Sequence, residues 1–174
     1  MAHAILIQNA VQSQNIDALN RNIKSAVDLD NGNVVMLSSR SAVSGEGEVF
    51  LATAADSTLT DLWMVSEPEV VLTAGKYKGL DPDIRNFYTV AGTVATASKP
   101  QIGDIITVSA DAFSGARTAE GYAIPVDGEV DLLWAASAGS AFALKLLKET
   151  YVSIGTGNPT NQRVTAYEME VVAI

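Results

Sequence analysis

The sequence predicts an all-β protein, a barrel or sandwich of short antiparallel strands preceded by an extended N-terminal arm. Three observations lead there. Asn31-Gly32 and Asp127-Gly128 each lie between β-prone runs, and these are the dipeptides that two-residue hairpin turns prefer. Short runs rich in Val, Ile, Thr and aromatic residues recur between Gly, Pro, Ser and Asp, at the spacing of barrels and sandwiches. No long apolar pattern of helical period competes with them.

Residues 1–25 are rich in Gln, Asn and Ala and thin in apolar side chains, a composition that suits an arm ordered by a partner. A short helix around Ile16 to Ile23 is the competing reading, since Ile16, Leu19 and Ile23 fall at helical spacing. Residues 26–174 then form the β domain. It opens with Ala26 to Asp30 and Val34 to Leu37 as a hairpin about Asn31-Gly32, with the type I′ turn that needs positive φ at both central residues.

Glu48 to Thr53, Asp61 to Val65, Val70 to Thr73, Tyr88 to Thr96 and Asp104 to Ser109 follow as short strands. Gly75 to Pro82, dense in turn formers and charge, is the expected internal junction or long surface loop. The second hairpin joins Tyr122 to Val126 with Glu129 to Trp134, and Pro125 puts the first of these strands at an edge or at its own end. Ala141 to Tyr151 has good helix formers, yet Phe142, Leu144 and Leu146 alternate with Lys145, and Thr150 to Ile154 continues the alternation; a strand is favoured. Arg163 to Ile174 is β-prone and ends in Val-Val-Ala-Ile, which belongs in a paired strand because an exposed one would aggregate.

Composition argues against catalysis. The chain of 174 residues has one histidine, His3, placed on a terminus expected to be mobile, and no cysteine. Ser-His-Asp and Cys-His machinery, histidine-bearing zinc sites and disulfides are excluded together. Stability must then come from packing or assembly, and the redox compartment is left open. With 11 Lys+Arg against 20 Asp+Glu the formal charge is −9, which repels phosphate backbones and anionic lipid surfaces, so neither nucleic acid nor membrane is an expected partner. Ala4 to Ile7 is too short and lacks the basic flank of a signal peptide, and no segment approaches the roughly 18 apolar residues of a membrane span.

The local motifs read as structure. Asp28, Asp30, Asn31 and Asn33 suggest calcium, but the glycine sits at the fifth position where an EF-hand loop has it at the sixth, so a turn is the better reading. Gly45-Glu46-Gly47 and Gly155-Thr156-Gly157 lack the third glycine of a dinucleotide fingerprint and read as loop tips. Asp81, Asp83 and Arg85 form a turn with an ion pair in preference to a carboxylate site. Trp63, Trp134, Tyr77, Phe87 and Tyr88 would stack on sugars if exposed, and core or interface positions are favoured. No enzyme activity, cofactor or metal is expected.

Trp63 to Val65, Tyr77 to Tyr88 and Pro100 to Thr107 resemble small proteins encoded near the major capsid gene of tailed bacteriophages, which look like capsid decoration (cement, head-stabilising) proteins. The Asp28 to Leu37 segment and Arg163 to Tyr167 fit the same pattern, so the likeness spans most of the chain from residue 26 onward. The resemblance implies a virion protein on the capsid exterior, made in the host cytoplasm. Its partner would be the major capsid protein, bound as a homo-oligomer such as a trimer. Ile5, Leu6 and Ile7, an apolar triplet in a polar arm, are the candidate partner contacts, with a first strand of the domain as the competing reading. The other functional reading is a carbohydrate-binding or host-adhesion module, which needs aromatic residues exposed on one sheet face.

Overall fold

Val34 and Val35 are adjacent and both buried, and they point into different cores. The alternation of a strand sends successive side chains to opposite faces, so a strand with both faces covered reads as a continuous apolar run. Leu62 to Val65 shows the same thing over four residues: Leu62 and Met64 join the core that contains Val34, while Trp63 and Val65 join the core that contains Val35. The computed structural model describes residues 2–56, 61–69, 83–117, 119–139, 141–154 and 162–174.

Eleven strands are named among these residues. They are β1 (Leu6–Ala10), β2 (Asn20–Ser25), β3 (Val34–Arg40), β4 (Val49–Ala54), β5 (Leu62–Val65), β6 (Val94–Ser98), β7 (Ile105–Ser109), β8 (Tyr122–Pro125), β9 (Leu132–Ala135), β10 (Ala143–Ile154) and β11 (Gln162–Ala173). Five close a barrel in the order β2-β4-β3-β5-β6, and six form a sheet in the order β1-β7-β11-β10-β8-β9. The barrel encloses one core, with Ile23, Leu29, Trp63, Val65 and Ala97. The sheet closes the other against the outer side of β3 and β5, through Leu6, Val108, Leu144, Met169 and Val171. The expected all-β class is what forms. Its pairings are antiparallel except for β2 with β4, which run parallel, and β10 and β11 are long, at 12 residues each.

Residues 2–25 form neither an arm nor a helix. β1 pairs with β7, Ile5 N–H donates to Ser109 Oγ at 2.9 Å, and β2 is a barrel stave between β4 and β6. Between them lie two single 3-10 turns, Gln12–Gln14 and Asp17–Leu19, where the Ile16 to Ile23 helix was the alternative. The boundary expected at residue 25 therefore disappears, because the segment supplies one strand to each β layer. His3 is likewise held: its N–H donates to the Arg85 carbonyl at 2.9 Å, and its ring stacks on Tyr88 at 4.4 Å.

The Asn31-Gly32 turn forms without a hairpin. Asn33 N–H donates to the Asp30 carbonyl at 3.1 Å, and only Gly32 has positive φ, at +91°. Positive φ at the third residue alone is the type II pattern, which does not set the strand twist of a two-residue hairpin. Leu29 accordingly bridges to Thr89, and β3 pairs with β4 and β5.

The Asp127-Gly128 turn does lie within a hairpin, β8 with β9, but the pairing starts at Pro125↔Leu132, leaving a six-residue connection at 126–131. That connection is spent on the barrel: Gly128 N–H donates to the Ala55 carbonyl, Ala55 N–H to the Glu129 carbonyl and Val34 N–H to the Val130 carbonyl, at 2.8 to 3.1 Å. Pro125 ends β8, as expected. Glu48 to Thr53, Asp61 to Val65 and Asp104 to Ser109 correspond to β4, β5 and β7. Tyr88 to Thr96 contributes one bridge and the start of β6. Of the Ala141 to Tyr151 run, Ala143 onward falls in a strand, and the C-terminal run pairs on both sides. The Val70 to Thr73 run, the Gly75 to Pro82 junction and Gly155-Thr156-Gly157 lie outside the described residues.

Candidate functional site

The sequence-derived contact triplet is split at the start of β1, Ile5 lying just before the strand and Leu6 and Ile7 on its opposite faces. Ile5 is 1% exposed and Leu6 8%, so both are core residues and neither can meet a partner, whereas Ile7 is 42% exposed. Asp83 is committed to Arg85, which reaches both carboxylate oxygens, Nη2 to Oδ2 at 2.6 Å and Nε to Oδ1 at 3.0 Å. This holds the Asp83 carboxyl below the usual range. Asp81 and Tyr77 lie outside the described residues. Trp63 lines the barrel core, Phe87 is buried and Tyr88 is covered on one side by His3, so these three do not form an open sugar-stacking face.

A cleft of about 630 Å³ lies at one end of the six-stranded sheet and is built from five separate segments. Inward-facing positions of β9 and β11 bring Trp134 and Tyr167 to it, and a 3-10 turn at Ala110–Ala112 delivers Phe113. The three rings form one cluster: Phe113 stacks on Trp134 at 4.4 Å and 15°, while Tyr167 meets Trp134 edge-on at 4.8 Å and Phe113 at 5.6 Å. Arg117 lies over the Trp134 ring at 5.7 Å, and its Nη1 is 3.5 Å from Glu149 Oε2.

Three carboxylates, Asp30, Asp111 and Asp131, share the cleft with this aromatic wall. Asp30 is held by His3 Nδ1 at 2.8 Å from Oδ1 and by the Ala4 N–H at 3.0 Å from Oδ2. Asn33 then links two of the acids, accepting from the Asp30 N–H at 2.7 Å and donating from Nδ2 to Asp131 Oδ1 at 2.9 Å. Burial pushes both Asp111 and Asp131 above the usual carboxylate range, and the charge of Asp30 adds to the rise in each. Burial raises the Tyr167 phenol as well, helped by Glu149. Among the described residues no three His, Asp or Glu side chains group closely enough to hold a metal ion.

The sequence places Asp30 in a turn in preference to a calcium loop and Trp134 at a core or interface position, and it does not single out Asp111, Asp131, Phe113, Arg117 or Tyr167. No local spacing could have joined them, because they come from the turn after residue 29, the 110–117 segment, β9 with its lead-in, and β11. Fold and site together define a class: a cysteine-free β protein of one barrel and one open sheet, with an acidic, aromatic-walled cleft at the sheet end. No protein-family model, curated protein or solved structure matches the chain.

Proposed function

We propose that the chain is a structural, non-enzymatic virion protein that decorates a bacteriophage capsid and stabilises the shell through non-covalent contacts with the major capsid protein. The observation that carries this reading is the β10–β11 ribbon. The two strands pair with each other from Ala143↔Ala173 to Ile154↔Gln162, yet β8 pairs only with Leu144 and Lys145, and β7 only with Ala166 to Glu170. Beyond those points, among the described strands, the ribbon has two outer edges without a ladder partner.

Such edges accept an added strand, with backbone hydrogen bonds giving affinity and alternate side chains giving specificity. Tyr151, 56% exposed on this ribbon with Arg163 over its ring at 6.0 Å, supplies the kind of aromatic anchor that interfaces favour. A charge of −9 suits the outer surface of a shell that holds DNA, and it keeps a protein soluble at high local concentration. An oligomer such as a trimer meeting a repeating lattice gains about 10²-fold or more in avidity without strong single contacts. Binding the assembled shell in preference to free subunits stabilises it by mass action.

Co-sedimentation with assembled shells that lack the protein tests the proposal. The expected result is saturable binding at a fixed ratio to the major capsid protein, with a raised shell melting temperature. Absence of binding to intact shells overturns it.

A further inference from the structure

We propose that the cleft at the sheet end is a docking site for a basic side chain, arginine or lysine, carried on an extended segment of the protein's partner. The inference rests on the reading that the partner is a protein, and it adds which chemistry that partner presents.

Charge is the first argument. Asp30, Asp111 and Asp131 face a cleft in which Arg117 is already engaged by Glu149, Arg85, whose charge reaches Asp111, is engaged by Asp83, and His3 pairs with Asp30 alone, so negative charge is in excess there. Carboxylates gain from a cation that supplies several N–H donors, and a guanidinium or ammonium does so without any acceptor to leave unpaired. A second copy of the chain, also at −9, is disfavoured by charge as the occupant of this cleft, whichever other face an oligomer uses.

Two unpartnered polar groups are the second and independent argument. Trp134 and Tyr167 are 9% and 8% exposed, and among the described residues neither the Trp134 indole N–H nor the Tyr167 hydroxyl has a hydrogen-bond partner. The side-chain atoms that are sealed from solvent without a partner are Trp63 Nε1 and Thr89 Oγ1, so the Trp134 and Tyr167 groups stay open, and the opening they line is the cleft. Both groups sit at the open edge of side chains that are otherwise withdrawn from water, and a ligand that pairs them is distinguished from one that leaves them unpaired. A phenol oxygen accepts from the basic group, while an indole N–H needs an acceptor, which a backbone carbonyl beside that residue provides. A cation and a carbonyl a few atoms apart describe a basic residue within a peptide.

Sugar stacking fits less well. The Trp134 ring is taken up by Phe113 and Arg117, leaving edges and polar atoms for the ligand instead of a free face.

The test follows the two indole N–H cross-peaks of the full chain by NMR, with Trp134 assigned by its loss in Trp134→Phe and Trp63, sealed in the barrel, as internal reference. The probes are the capped tripeptide Ala-Arg-Ala and its citrulline counterpart, which keeps the shape and loses the charge. The Trp134 peak should move saturably while the Trp63 peak stays, and the arginine peptide should bind at least about tenfold more tightly than the citrulline one, as expected for hydrogen bonds to charged groups. Asp111→Asn with Asp131→Asn should remove that preference; Asp111→Asn alone, at an exposed position, serves if the pair does not fold. Equal response to the two peptides, or an unmoved Trp134 peak at about 10 mM peptide, overturns the proposal. The titration contains no shell, so failure of shell binding and failure of the cleft are read separately.

Discussion

Asn33 Nδ2 donates to Asp131 Oδ1 at 2.9 Å, joining residues 98 positions apart, and the same amide oxygen accepts the Asp30 N–H at 2.7 Å. One buried side chain thus ties the turn that opens β3 to the connection that precedes β9. Asn33→Ala deletes both bonds and leaves a backbone donor and a half-buried carboxylate without them. Leaving such groups unpaired costs about 1–3 kcal/mol, which urea denaturation should read as a lowered midpoint with an unchanged slope. A midpoint within error of the parent would mean that water replaces Asn33 at no cost.

Asp131 sets a second expectation. Burial is the main cause of its raised pKa, with Asp30 and Glu129 adding to it and the Asn33 amide opposing. A carboxyl raised in the folded state holds protons that the unfolded chain has released, so its contribution to stability falls as pH rises from the ordinary carboxylate range through the folded value. Asp131→Asn keeps an oxygen for Asn33 and removes the charge. The variant should gain in melting temperature over the parent at about pH 7, and the gain should shrink as pH falls into and below the ordinary carboxylate range, where the parent's carboxyl takes up its proton. Asp83 works in the opposite direction: its lowered pKa contributes stability above the usual carboxylate range that is lost on acidification. A gain that grows at low pH would contradict the assignment of burial as the dominant cause.

Gly32 and Gly128 both hold positive φ, +91° and +79°, but they differ in surroundings. A Cβ at Gly32 would meet Val108 Cγ1 at 3.2 Å, whereas one at Gly128 meets nothing within 4 Å. Both alanine variants carry the left-handed backbone penalty of about 1–2 kcal/mol. Gly32→Ala must also displace a core valine, so it should be the more destabilised of the two by about 1 kcal/mol, as small overpacking typically costs. Equal thermal shifts would show that Val108 moves aside freely.

Strand content was legible because it depends on local alternation: β4, β5, β7, β10 and β11 all fall where β-prone runs lie. Pairing was not, because Asn-Gly announces a turn and says nothing of which strands it joins. At Asn31-Gly32 the chain spends its backbone groups elsewhere, with Gly32 N–H donating to the Val65 carbonyl and Leu29 exchanging bonds with Thr89. The cleft was illegible for a related reason. Asp111, Asp131 and Tyr167 become neighbours only through the order β7-β11-β10-β8-β9, which no short window of sequence contains.

The N-terminal segment gives the sharpest contrast between composition and packing. Residues 1–25 read as polar and arm-like, yet their few apolar side chains go where they count: Ala4 and Leu6 enter the core against β7, Ile5 is sealed, and Ile23 fills the barrel. Ile5→Ala removes a fully buried side chain, which typically costs about 2–4 kcal/mol including the cavity left behind. Ile7→Ala, at a solvent-exposed position of β1, should cost about 0.5 kcal/mol or less. Denaturation of the two variants side by side separates a structural strand from a partner-contact arm, because an arm would give two equally small values. With the expected asymmetry in stability, Ile7 alone of the triplet stays available to a partner, and Ile7→Ala becomes the variant in which a loss of shell binding can be read without a loss of fold.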